Sequence, residues 1–299
     1  MTKLVPKIQT FTGIPHGSIQ EFLTRIYKKE LHYVLPAAQA HTLSTKQGNI
    51  INLAADTFSD RNRQAIKENV HLQLRECRSR KDLLFSDYGM GANRFLIDVH
   101  RLIDIQLKAP MGTGIRLNKP YQIEIPLTNV FKPHQLQIFE QGPSSIIGLH
   151  QINSLEWKPS QKPLLIRKGA NGERYGKIEL DRLQPILIGK GVKLKRKATK
   201  KAMFSLKIQA NIDQLNDLKA YLLFDKLNTV VELNRHRNRF SAFNLPRGHR
   251  VNLLILGFDD KRFFFHKSQI PALNNQVLSV QLKALPYLKF VQRLQNMIC

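Results

Sequence analysis

Three arginines stand two residues apart in the run Asn234-Arg235-His236-Arg237-Asn238-Arg239-Phe240. On a β-strand this spacing sets Arg235, Arg237 and Arg239 on one face, about 6.6–6.8 Å apart. Guanidinium forks match carboxylates and phosphates equally well. Arg247 and Arg250 follow in the next turn and strand start and are expected to extend the same patch, with His236 and His249 interleaved. A second basic cluster, KGVKLKRKATKK, spans Lys190 to Lys201, and a third holds Arg75, Arg78, Arg80 and Lys81. The expected site is an anion-binding surface of Arg235, Arg237, Arg239, Arg247, Arg250, Lys193, Lys195, Arg196 and Lys197. Its expected partner is an acidic protein or an anionic surface. The alternative is nucleic acid, because arginines beside aromatic rings can hold phosphates and stack on bases. The nearby rings, Phe240 and Phe243, read instead as core residues.

Other chemistry is sparse. The chain contains no G-x-x-x-x-G-K-[ST], H-E-x-x-H, C-x-x-C or G-x-S-x-G motif. Gly89-Met90-Gly91 and Met111-Gly112-Thr113-Gly114 read as turns rather than phosphate loops. His236, His249 and His266 read as surface side chains, since a metal site needs convergent, supported ligands. Asp259-Asp260 reads as a hairpin turn, and Asp98 and Asp104 as outward charges on a sheet. Cys77 reads as a structural thiol, and Cys299 is the last residue. The expectation is a non-enzymatic structural or interaction protein with no catalytic residue, no cofactor and no metal.

The charge balance points the same way. Across 299 residues there are 47 Lys+Arg against 22 Asp+Glu, a formal net charge of +25. Such a surplus favours anionic partners and self-repulsion but says nothing about fold. With 42% hydrophobic and 23% charged residues the composition is that of a folded chain, not a disordered one. No apolar run approaches the roughly 18 residues that would signal a spanning helix. The start, MTKLVPKIQTFTGIPHGS, lacks the apolar stretch of a secretory signal. As written the chain reads as cytoplasmic, or as a cell-envelope protein if numbering begins after processing.

The elements that must position these residues are mostly strands. Val70-His71-Leu72-Gln73-Leu74-Arg75 and Tyr121-Gln122-Ile123-Glu124-Ile125 alternate apolar and polar, the mark of a sheet with one buried face. Similar runs occur at 49–53, 95–99, 103–107, 135–139 and 154–157, punctuated by glycine and proline. A second series follows at 202–210, 218–225, 229–233, 239–243, 251–258, 263–266 and 276–282, a count that suits a small seven-stranded sandwich. Ile19, Phe22, Leu23, Ile26 and Tyr27 predict a helix over 18–31 with Ser18 as N-cap, and Leu288, Val291, Leu294 and Ile298 predict another over 285–298. The predicted architecture is mainly β: two tandem antiparallel sandwiches with a short helix near each terminus. The predicted boundaries are an N-terminal segment 1–35, a first sandwich 36–189, a basic linker 190–201, a second sandwich 202–284 and a terminal helix 285–299.

The stretch from Thr42 to Ser86 resembles an uncharacterised β-sandwich family of the Bacteroidota. Gly48, Phe58, Asp60, Val70, Leu72, Leu74, Glu76, Asp82 and Leu84 stand at the matching points. The likeness spans about 40–290. Its second part, Phe204 to Phe265, is similar to the carboxypeptidase-regulatory-like sandwich, most clearly at Phe240 to Gly257. The first module is distantly similar to the sandwich carried by netrin receptors and ankyrins. The resemblance implies tandem sandwiches without chemistry of their own, in a family many of whose members look secreted or lipid-anchored.

Overall fold

Period-two alternation governs most of this chain, and it folds into a mainly β protein, with 56% strand and 10% helix among the described residues. A computed structural model describes residues 18–26, 30–86, 88, 90–91, 96–108, 115–143, 155–169, 171–192, 201–209, 215, 217–237, 239–259 and 262–298. The elements begin with helix α1 (Ile19–Ile26) and strands β1 (Glu30–Pro36), β2 (His41–Ser44), β3 (Ile50–Leu53), β4 (Phe58–Ser59) and β5 (Asn69–Cys77). Helix α2 (Arg80–Leu84) precedes β6 (Met90–Gly91), β7 (Leu96–Lys108), β8 (Arg116–Leu117), β9 (Tyr121–Pro126), β10 (Gln137–Pro143) and β11 (Leu155–Pro159). Then come β12 (Leu165–Lys168), β13 (Arg174–Leu180), β14 (Ile186–Val192), β15 (Lys201–Ile208), β16 (Asp217–Phe224), β17 (Val230–Glu232) and β18 (Asn234–His236). The chain closes with β19 (Arg239–Pro246), β20 (Val251–Phe258), β21 (Phe263–Ile270), β22 (Gln276–Val280), β23 (Ala284–Leu285) and helix α3 (Tyr287–Ile298).

Residue contacts group the chain into two units. One comprises 29–78 and 99–191; the other comprises 1–28, 79–98 and 192–299. The segment 79–98, which the sequence reading assigned to the first sandwich, therefore groups with the C-terminal residues. The basic run does not act as one connector: Lys190 to Val192 belong to β14 and Lys201 to β15. Residues 193–200 lie outside the described residues.

In the first unit, sheets β1-β5-β7-β14-β10-β11 and β12-β13-β9-β3-β2 enclose one core. Val70, Leu72 and Leu74 of β5 meet Ile51 of β3 and Ile123 and Ile125 of β9 across it. One end of this interior is polar. Asn49, Glu76 and Arg101 are buried there. The Asn49 amide donates to Glu76 Oε1, and Arg101 Nη1 donates to Gln47 Oε1 at 2.6 Å. Burial, reinforced by the nearby Glu76 charge, pushes the Tyr33 hydroxyl above its ordinary pKa.

In the second unit, sheet β18-β19-β15-β22 packs against sheet β23-β21-β20-β16-β17-β6. Phe204 and Leu206 of β15 and Phe240 of β19 meet Leu222 and Phe224 of β16 and Leu253 and Ile255 of β20. Pairing is antiparallel except for β15 with β22 and β17 with β6, which run parallel. Met90-Gly91 is therefore an edge strand and not the turn its glycines suggested.

The helices follow their sequence signals at the N-terminal ends. Ser18 Oγ accepts from the Glu21 N–H at 3.1 Å, capping α1. The helix expected to reach Leu31 stops earlier: Glu30 onward is strand, because Leu31, Tyr33 and Leu35 pair with Leu74, Leu72 and Val70 of β5. Tertiary pairing overrides helical spacing there. At the other terminus Leu285 is in β23, and α3 begins after Pro286.

Candidate anion-binding interface

The strand that would align Arg235, Arg237 and Arg239 does not exist. β18 ends at His236, Arg237 turns with φ +52°, and β19 starts at Arg239. The three arginines surround a hairpin tip, where a turn needs a residue in the left-handed region. All three are exposed. Arg235 Nε donates to the Arg237 carbonyl at 3.3 Å, a contact within the turn itself.

Register places the charges. His236 pairs with Arg239 across the hairpin, and Arg239 pairs with Lys207 of β15 on its other side. Lys207 in turn faces Ser279 of β22. These residues share the outward phase, since Phe240, Leu206 and Phe204 occupy the core phase. Residues directly opposite in an antiparallel pair have Cβ atoms about 4.5–5.5 Å apart, and like charges there are destabilising. No ion pair involves Arg239 or Lys207 among the described residues.

The next row along the sheet is Asn234, Ser241, Ser205 and Val277. Beyond it stand Met203 and Phe243. Met203, Phe243 and Val277 are large apolar side chains left 44%, 49% and 71% exposed. Phe243 is thus not the core residue it was expected to be, whereas Phe240 is. A bulge explains the change of phase. Between the paired positions Ala202–Leu245 and Phe204–Ala242, β15 has one residue and β19 has two. Asn244, one of those two, takes φ +56°, which Asn tolerates better than most residues. The extra residue lets Ala242 and Leu245 both face inward and leaves Phe243 outside.

Arg247 and Arg250 do not extend this patch. Strand β19 puts about 23 Å between Arg239 and Pro246. At that far end Arg247 Nε donates to Asn274 Oδ1 at 3.0 Å, and Arg250 Nε lies 4.0 Å from Asp225 Oδ2. Lys193, Lys195, Arg196 and Lys197 lie outside the described residues. The third basic cluster is also dispersed: Arg75 pairs with Glu30 at 2.5 Å in the first unit, while Arg80 and Lys81 open α2 in the second.

The histidines occupy three separate elements. His236 is on the hairpin, His249 follows the β19 turn and His266 is on β21. Burial lowers the pKa of both His249 and His266, with Lys226 adding to the effect at His249. Among the described residues no group of three or more His, Cys, Asp or Glu side chains could hold a metal ion. Asp98 and Asp104 are not plain surface charges. Asp98 accepts the Asn228 N–H at 2.7 Å, and Asp104 is buried and accepts from Gln106 Nε2 at 2.7 Å. Asp259 accepts from Arg262 N and Nε, closing a turn. No helix among the described residues is long and apolar enough to cross a membrane.

Sequence reasoning missed Lys207, Met203 and Val277. Lys207 sits in the polar phase of its strand, which was legible, but its neighbour Arg239 lies 32 positions on, and only strand order brings them together. No family model matches this chain, and no curated protein is significantly similar to it.

Proposed function

We propose that this chain is a non-enzymatic interaction module that docks an acidic protein segment on the outer face of its β18-β19-β15-β22 sheet. The observation that carries the reading is the cross-strand opposition of Arg239 and Lys207 with His236 beside them. Opposed cations reduce stability unless an anion lies between them. The exposed Phe243, Met203 and Val277 lie along the same face. A cationic row bordered by apolar side chains complements a segment that carries both carboxylates and apolar side chains. Arg235 and Arg237 at the hairpin tip widen the charged end, whereas Arg247 and Arg250 belong elsewhere.

Fluorescence anisotropy with a labelled peptide of alternating Glu and Leu tests this against a single-stranded oligonucleotide of equal charge. The expected result is tighter binding of the peptide, weakening with salt, and about tenfold weaker binding by Arg239→Gln/Lys207→Gln. Tighter binding of the oligonucleotide, lost in Phe243→Ser, would favour the nucleic-acid reading, in which the ring stacks on a base. Unchanged binding in the double variant would overturn both.

A further inference from the structure

The other sheet of the second unit bears a separate site on the face turned away from the core. Leu223 pairs with Asn252, and Leu254 with Lys267, in the phase opposite to the core residues Leu222, Leu253 and Ile255. Helices α1 and α3 close part of this face through an aromatic cluster. Phe263 stacks 6.1 Å from Phe22 and 5.0 Å from Phe290. The part around Asn252, Leu254 and Lys267 remains open as a cavity of about 480 Å³, a size typical of small-molecule sites.

Its rim is cationic and its walls are apolar. Arg80 and Lys81 come from the start of α2, and Lys267 from β21. Leu84, Phe85 and Met297 form the sides. The one carboxylate in the lining, Asp225, is already engaged: it accepts from Asn252 Nδ2 at 2.7 Å and lies 4.0 Å from both Arg80 Nη1 and Arg250 Nε. Arg80 also donates to the Phe224 carbonyl, so its guanidinium is held in place at the mouth. Ser79 fixes the start of α2 by a reciprocal cap with Asp82, which sets both Arg80 and Lys81.

We infer that this cavity binds an amphipathic anion: a carboxylate or phosphate head held by Arg80, Lys81 and Lys267, with an apolar chain against Leu84, Phe85 and Met297. The two head groups share the recognition chemistry, since guanidinium and ammonium donors accept either. The site is independent of the docking face, because its residues come from the opposite sheet and from α2 and α3.

Isothermal titration of the full chain with decanoate, decyl phosphate, decanol and inorganic phosphate tests it. Decanoate or decyl phosphate is expected to bind at least about tenfold more tightly than decanol and than inorganic phosphate. The tighter of the two identifies the head group. Lys267→Gln should weaken that binding about fivefold or more by removing a charge, and Met297→Glu should do so by placing a carboxylate in the apolar wall. Arg239→Gln should bind as the parent does. Equal binding of decanol, equal binding of phosphate alone, wild-type affinity in both Lys267→Gln and Met297→Glu, or no binding below about 1 mM would each overturn the proposal. Urea midpoints of the variants show that they remain folded.

Discussion

Arg101 and Arg239 are both strand arginines, one in each unit, and the two units treat them in opposite ways. Arg101 shares the inward phase of β7 with Ile103 and Ile105, is 1% exposed and donates to Gln47. Several other cations of that unit are also paired: Arg75 with Glu30, Arg182 with Glu140 and Lys162 with Asp181. The Lys162 contact holds the Asp181 carboxyl below its ordinary pKa. Arg239 points outward between His236 and Lys207 and pairs with no carboxylate among the described residues. A large net charge is therefore not one property spread over the chain. Arg101 builds structure through its partners, whereas Arg239 is set against its own kind across the strand pair. Other arginines of the second unit, Arg80, Arg250 and Arg262, lie beside Asp225 or Asp259.

The sharpest way to break this contrast is to truncate the buried arginine. Arg101→Ala removes a long packed side chain and leaves the Gln47 carbonyl without that donor. The expected loss is about 2–5 kcal/mol, read from urea unfolding. A loss below about 1 kcal/mol, the value for an exposed charge, would remove the distinction between the two arginines. A smaller effect is expected at the cap of α2. Ser79→Ala deletes the acceptor for the Asp82 N–H and should cost about 1 kcal/mol. It should also weaken anion binding in the cavity, because Arg80 and Lys81 follow directly. Full stability with wild-type anion binding would show that the cap does not position that wall.

Smaller again is a pH effect confined to the second unit. His249 packs edge-on against Phe224 with ring centroids 6.1 Å apart, and burial keeps both it and His266 from protonating as readily as free histidine. A depressed folded-state pKa means that the unfolded chain binds more protons as pH falls below about 6.5. The stability these groups contribute is present above that value and declines as pH falls toward the folded-state values. Urea midpoints should therefore drop between pH 7.5 and 5.5, and by less in His249→Gln/His266→Gln. An equal drop in parent and variant would assign the effect to other groups.

What the sequence carried and what it did not divide along a physical line. Alternation at 70–75 and 121–125 was legible because a strand buries every second residue, and Ser18 with Glu21 marked the first helix because that spacing caps a helix. Ser79 with Asp82 is the same kind of signal, set among Arg78, Arg80 and Lys81, whose charges mask it in the sequence. The candidate interface was only half legible. Arg239 stands out by type, but its meaning depends on Lys207, and register between distant strands is not written in local pattern. The hairpin at Arg237 and the bulge at Asn244 both need positive φ in non-glycine residues, which no residue type announces with certainty. Phe243 reads as core from its neighbours alone, but the bulge next to it turns the strand's phase and leaves the ring outside.

One substitution bears most directly on the claim that the cationic row serves an anionic partner. Lys207→Glu sets a carboxylate opposite Arg239 and beside Ser279, which converts a repulsive cross-strand pair into an attractive one. The expected outcome is a protein more stable by about 0.2–1 kcal/mol that binds the Glu-Leu peptide at least about tenfold more weakly. A gain in stability bought at the cost of binding is the signature of a face kept repulsive for a partner. Unchanged peptide binding in Lys207→Glu, at low and high salt alike, would show that this face is merely solvated and would contradict the account.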